Sequence, residues 1–208
     1  MTSRNCCSHV SPNTHGSKRR PATTVLIICW LVVMACSFTA RTTAFAQQSD
    51  PNEYQVKATY LYNFGKYVKW PGTLPASKGD SFPVCVFGQD PFGAILDSTL
   101  AGETLDGKPV VLRRISKLQD AVDCRILFIS STEEKRLKEI LAALGGGGVL
   151  TVSDMPGFTR RGGMIQFLLE GNKVRFEVNL ASAENSKLVF SSELLKVAAS
   201  VRNSRSGD

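Results

Sequence analysis

The run Phe82-Pro-Val-Cys-Val-Phe87 holds no polar side chain. A strand with one wet face alternates apolar and polar residues, so an unbroken apolar run marks a strand covered on both faces. Such a strand needs helices above and below its sheet, and the chain supplies the matching pattern. Pro109–Leu112, Arg125–Ile129 and Val149–Val152 are three further strands. Gly88-Gln-Asp-Pro91 turns into a short helix to about Asp97, with Asp90 as its cap. Ser131-Thr-Glu-Glu134 is a capping box that opens a helix to Leu144, and Gly145–Gly148 stops it. The ending differs. Met164–Leu169 and Val174–Leu180 flank Glu170-Gly-Asn-Lys173, which reads as a hairpin with Val174, Phe176 and Val178 on one face and Arg175, Glu177 and Asn179 on the other. A last helix, starting at Ser191 or Ser192, is expected to bury Leu194, Leu195, Ala198 and Val201 and to fray into a disordered tail over 203–208. The pattern predicts an α/β single-domain three-layer sandwich: a mostly parallel sheet, helices on both faces and a C-terminal antiparallel hairpin.

The first 46 residues read separately, with 47–202 as the folded domain. Lys18, Arg19 and Arg20 precede an apolar run, Val25–Ala35, and a small-residue stretch ends at Ala44-Phe45-Ala46. This is the layout of a Sec-type signal peptide cleaved after Ala46. An uncleaved anchor is the alternative, but the run has about 11 residues against the ~20 a bilayer needs. A second alternative is lipidation at Cys36, which follows Val33-Met34-Ala35. The leader holds five basic residues and no acidic ones, so of 25 Lys+Arg the remainder keeps 20, against 18 Asp+Glu. A net charge of +2 does not supply the concentrated basic surface that nucleic acid requires.

Both histidines, His9 and His15, and four cysteines, Cys6, Cys7, Cys29 and Cys36, belong to the leader. Beyond residue 46 the chain contains no imidazole, hence no Ser-His-Asp triad, no Cys-His pair and no histidine ligand for a metal. No Ser-x-x-Lys stands at a strand-to-helix turn. The two remaining cysteines, Cys85 and Cys124, pair by the usual habit of exported proteins, two buried free thiols being the alternative. A bond closing a loop of ~40 residues stabilises a fold by up to about 4 kcal/mol. If the strand order is flavodoxin-like, the first and third strands are neighbours and the bond is sterically possible. The four glycines at 145–148 run from helix to strand and lack a following Lys-Ser/Thr, so they end a helix and do not cradle phosphate. No cofactor, metal or catalytic residue is expected. Gln89, Asp90, Ser130, Ser131, Ser153 and Asp154 fall just after strands, where open α/β sheets form a ligand crevice. Their plainer reading is as caps and turns.

The aromatic residues are concentrated in one helix, Asp50–Lys69, with Asp50 as cap, Pro51 at the first position, Glu53 completing a capping box and Pro71-Gly72 as stop. A loop over Thr73–Ser81 follows. The helix carries all four tyrosines, and Trp70 comes directly after it. On a helical wheel Tyr54, Ala58, Leu61, Gly65 and Val68 form the stripe that should pack on the sheet, with Phe64 at its margin. Val56, Tyr60 and Tyr67 fall on the opposite side, around Asn63, with Lys57 on one flank and Lys66 and Lys69 on the other. A second apolar face either covers a neighbouring element or meets another chain. Tyr60, Asn63, Tyr67 and Trp70 are the candidate partner or dimer interface.

From about Glu53 to Val201 the chain resembles the YfiR family of exported regulators. The resemblance lies in Lys57-Ala-Thr-Tyr-Leu-Tyr-Asn-Phe64 with Lys69-Trp-Pro71, Cys85-Val-Phe-Gly88 with Asp90-Pro-Phe-Gly93, and Cys124-Arg-Ile-Leu-Phe-Ile-Ser130. It continues in Leu150-Thr-Val-Ser-Asp154, Gly162-Gly-Met-Ile165, Arg175-Phe-Glu-Val-Asn-Leu180 and Ser191-Ser-Glu-Leu-Leu195. It implies a periplasmic, non-enzymatic protein that restrains the periplasmic sensor part of an inner-membrane diguanylate cyclase, or another membrane sensor protein, and so controls cyclic-di-GMP and biofilm formation. It also implies a homodimer and a disulfide matching Cys85–Cys124. A reading from another class is a small-ligand sensor that uses the strand-end crevice.

Overall fold

Along Phe82–Phe87 the pleat sends Val84 and Val86 to one face of the sheet and Cys85 and Phe87 to the other, and all four are buried. The computed structural model describes residues 51–71 and 80–203. The expected leader, the Asp50 cap, Gly72 with most of the following loop, and the tail beyond Asn203 lie outside the described residues. Helix α1 is Pro51–Tyr67, followed by β1 (Val68–Lys69). Then come β2 (Phe82–Phe87), α2 (Ala94–Leu100), β3 (Thr104–Leu105) and β4 (Lys108–Ile115). A 3-10 turn at Leu118–Asp123 leads to β5 (Ile126–Ile129), and a second, Ser131–Arg136, leads to α3 (Leu137–Leu144) and β6 (Leu150–Ser153). The hairpin is β7 (Ile165–Glu170) with β8 (Lys173–Asn179). The chain ends in α4 (Leu180–Asn185), β9 (Val189–Phe190), α5 (Ser192–Val197) and β10 (Ser200–Arg202).

The main sheet runs β3-β4-β2-β5-β6-β7-β8-β10. From β4 to β7 every pairing is parallel, so those five strands follow the doubly wound order 2-1-3-4-5. The hairpin pairs antiparallel, from Ile165 opposite Val178 to Glu170 opposite Lys173. Its two turn residues, Gly171 and Asn172, both have positive φ, as a tight two-residue hairpin turn requires. Two apolar layers sandwich the sheet. Ala58, Leu61 and Phe64 of α1 and Leu96 and Leu100 of α2 cover one face. Leu137, Ile140 and Leu144 of α3, with Met155 and Phe158 from the following loop, cover the other. The two cysteines are joined: Cys85 in β2 bonds Cys124 just before β5, with Cα atoms 6.0 Å apart and both residues fully buried.

Several boundaries differ from the sequence expectation. The first helix stops at Tyr67, because Val68 and Lys69 pair with Phe190 and Val189 and the Ser191 amide donates to the Tyr67 carbonyl. The short helix begins at Ala94, since Asp90 instead takes the Phe92 amide in a local turn. The Ser131–Leu144 helix is 3-10 in its first half, and Ser130, not Ser131, is its cap. The final helix ends at Val197. Val201 is exposed in β10, drawn there by the edge of β8, to whose Phe176 carbonyl the Ala199 amide donates. Helix α4 was not foreseen; Asn179 caps it by accepting from the Ser182 amide.

Gly163 lies against the fully buried ring of Phe158, so closely that a methyl at this position would overlap the ring atoms. Gly163→Ala is therefore expected to cost about 1–3 kcal/mol, the usual penalty of overpacking. A lowered urea midpoint would show it; an unchanged midpoint would mean the ring can swing aside.

Candidate docking surface on the first helix

The inner side of α1 carries a buried charge cluster that the wheel did not foresee. Lys57, expected on an open flank, is only 3% exposed. Its ammonium sits 2.5 Å from Glu53 Oε1 and 2.8 Å from Asp154 Oδ2, and 4.5 Å from the centre of the Tyr54 ring. The Tyr54 hydroxyl donates to the same Asp154 oxygen at 3.2 Å. Burial alone would lower the Lys57 pKa, but Asp154 and Glu53 outweigh it and hold the ammonium above its ordinary range. Burial first, and Asp154 second, raise Tyr54. The cluster ties α1 to the C-terminal end of β6, with Glu53 as one of its two carboxylates.

The outer side divides in two. Tyr60, expected to face away from the sheet, turns inward: its ring centre lies 5.9 Å from Phe64, 6.1 Å from Phe167 and 5.4 Å from Phe176. The sheet-facing arc of α1 is wider than one stripe because β7 and β8 rise along its flank and supply those two phenylalanines. Tyr67 stays 43% exposed. Tyr60, Asn63 and Tyr67 come together at a cavity of about 290 Å³ completed by Phe64, Phe176, Glu193, Leu194 and Val197. Val197 is 59% exposed. Toward the other end of α1, a hollow of about 380 Å³ is lined by Val56, Leu169 and Val174, with Glu53, Lys173 and Arg175 among the polar groups at its border. Val174 and Phe176 share one face of β8, so the two spaces lie along a single side of α1. Trp70 is not part of this surface; it is half-buried, edge-on to Phe82 at 5.2 Å. Leu169, Glu193 and Val197 were missed. Their only sequence signal was apolar or acidic character in segments read as hairpin end and final helix.

The strand-end residues are occupied by the fold's own bonds. Asp90 Oδ2 pairs with Arg114 Nε at 2.6 Å, and Arg114 also grips Asp97, which lowers the Asp97 carboxyl and raises the guanidinium. The Gln89 amide donates to Thr132 Oγ1 at 3.2 Å. Ser130 Oγ accepts from the Thr132 amide as a cap, and Ser131 opens the same turn. Ser153 Oγ donates to the Ile129 carbonyl at 2.7 Å and accepts from the Met155 amide. Asp154 holds Lys57. At Gly88 an added Cβ would meet Thr132 and Glu133 side chains, so the 3-10 turn fills the switch-point crevice. Among the described residues no group of three or more His, Cys, Asp or Glu stands close enough to hold a metal, and no helix is long and apolar enough to cross a membrane.

A doubly wound α/β domain, braced by a disulfide between β2 and the residue just before β5 and grooved along its first helix, defines the structural class. Within it, the chain belongs to the YfiR/HmsC-like family, whose model matches residues 54–199. That family is one of periplasmic regulators. The fold is also similar to a conserved domain protein from Vibrio cholerae O1 biovar El Tor strain N16961, at 11% identity and a TM-score of 0.50, over 72% of this chain and 60% of that one. An ABC domain in complex with L-Trp from Streptococcus pneumoniae aligns at 8% identity and a TM-score of 0.46, with the same coverages. The chain spans about 60% of the length of those two proteins. The first likeness speaks to the fold alone, and the second carries no argument. No curated protein matches the chain.

Proposed function

We propose that this protein is a non-enzymatic periplasmic regulator that uses the outer side of α1 to bind and restrain the periplasmic sensor part of an inner-membrane signalling protein. A diguanylate cyclase is the partner class the family resemblance favours, with cyclic-di-GMP level and biofilm formation as its outputs. A signal peptide ending at Ala46 delivers the domain to that compartment, where it also self-associates. The observation that carries the reading is the cavity of about 290 Å³ between α1 and α5, with Tyr67 and Val197 projecting beside it. An exposed aromatic residue next to a pocket that mixes apolar walls with Asn63 and Glu193 is the make-up of a protein-binding anchor. The small-ligand reading has no comparable support, since Gln89, Asp90, Ser130, Ser131, Ser153 and Asp154 hold turn, cap and ion-pair bonds.

Tyr67→Ser tests this cleanly, because the ring is not part of the core, whereas Tyr60→Ser would also open the Phe64–Phe167–Phe176 cluster. The expected result is co-purification with the membrane partner weakened about tenfold or more, as for loss of an interface anchor. Cellular cyclic-di-GMP should rise while the melting temperature stays put. Undiminished binding together with undiminished repression would refute the reading.

A further inference from the structure

Gly145 and Gly146 close α3 without side chains, and a cavity of about 330 Å³ lies beside them, at the N-terminal ends of β6 and β7. Its lining shares no residue with the strand-end crevice or with the hollows along α1. Leu141 and Leu144 of α3, with Met164 just before β7, make one side apolar; Thr151 of β6, Asn185 at the end of α4 and the following Ser186 make the other polar. An apolar wall facing a few polar groups is the usual make-up of a small-molecule site. Ser186 is 5% exposed, yet its hydroxyl has no hydrogen-bond partner among the described residues. Hydroxyls buried that far are ordinarily bonded, so this one points to a partner that enters through the cavity. Thr151, 2% exposed, accepts from the Met164 amide at 3.2 Å and keeps one lone pair.

The sign of that partner follows from the backbone. No charged side chain lines the cavity. The last turns of α3 and α4 both border it, since Leu144 and Asn185 are their final residues. A helix C-terminus carries partial negative charge and favours a cation within its last turn. No aromatic ring is among the lining residues, so the apolar side suits a flexible chain better than a stacked ring. We infer that this cavity binds a small aliphatic primary amine in its ammonium form. The cation sits between the two helix ends, donating to Ser186 Oγ, Thr151 Oγ1 and Asn185 Oδ1, and the alkyl chain lies on Leu141, Leu144 and Met164. The inference does not rest on the outer side of α1.

The test titrates the purified domain with n-butylamine at about pH 7, where an alkylamine is protonated, and follows backbone amide shifts by NMR. Neutral n-butanol and anionic butyrate are the isosteric controls. The amides of Gly145, Gly146, Gly162 and Ser186 should shift and saturate at about 1–10 mM amine, the range open to a ligand of so few atoms. n-Butanol should bind at least about fivefold more weakly, and butyrate should not bind. Asn185 is exposed, so it can be changed without disturbing the core. Asn185→Asp should tighten the amine about fivefold, and Asn185→Lys, whose own ammonium takes the place, should abolish binding. Ser186→Ala should weaken it several-fold while the urea midpoint stays put. The absence of saturable shifts up to about 100 mM overturns the inference. So do equal shifts with all three probes, shifts confined to other parts of the domain, or Asn185 variants that bind the amine as wild type does. Tyr67→Ser protein should give the same titration, so this site and the docking surface on α1 stand or fall separately.

Discussion

Cys85→Ser is expected to lose about 2–5 kcal/mol of stability in urea unfolding, the largest effect of any single change considered for this protein. The bond joins positions 39 residues apart, and cutting it returns that loop's freedom to the unfolded chain. The replacement also leaves a hydroxyl among Phe87, Leu127, Ile129 and Ile140, where an unpaired polar group costs a further ~1–3 kcal/mol. Burial makes a second expectation. Exchange needs a thiolate to reach one sulfur in line, and neither cysteine exposes any surface. Native protein in dithiothreitol should therefore show no reactive thiol over the hours in which urea-treated protein shows two. Equal reduction with and without urea would mean that the brace opens locally, and a regulatory role for it would then have a route.

The second large effect is expected at Lys57. Lys57→Met leaves Glu53 and Asp154 facing each other beside α1 with no cation between them. The expected cost is roughly 3 kcal/mol, at the low end for breaking a buried pair because both carboxylates still reach solvent. Adding Asp154→Ala to Lys57→Met should recover part of the loss, and strictly additive losses would show that the two residues do not act together. The same cluster sets an alkaline limit. The folded-state pKa of Lys57 is raised above its unfolded value, so its contribution is complete below about pH 10.4 and is lost as pH rises through the folded pKa. Tyr54 is raised as well, so the unfolded chain ionises first and stability again falls with rising pH above about 10. Wild-type protein should lose stability between about pH 10 and 12 more steeply than Lys57→Met, a comparison of urea midpoints across that window.

The core was legible because its strands are buried on both faces. Val84, Cys85, Val86 and Phe87 can be read without knowing their neighbours, and so can the runs that became β5 and β6. The cysteines could be paired because only two lie beyond residue 46 and the strand order makes theirs adjacent. The margins were harder. Leu194, Leu195, Ala198 and Val201 recur at helical spacing, yet Ala198 ends the helix and Val201 lies in a strand, because an open edge of β8 offered hydrogen bonds that a last helical turn could not match. On α1 the wheel placed Tyr67 correctly in the open, but it misplaced Tyr60 and Lys57. A wheel assumes a flat floor, and here β7 and β8 climb one flank of the helix while Asp154 meets the other.

The amino-acid order by itself determined the strand-and-helix alternation, the doubly covered sheet, and a domain chemistry without imidazole. These depend on local period and composition, which act within a few residues. Which tyrosine faces out, where Lys57 finds its two carboxylates, that the strand-end crevice is filled by Ser131–Arg136, and that a cavity lies between α1 and α5 were decided only in three dimensions. Each of these depends on groups brought together from distant parts of the chain, and no local rule carries that information.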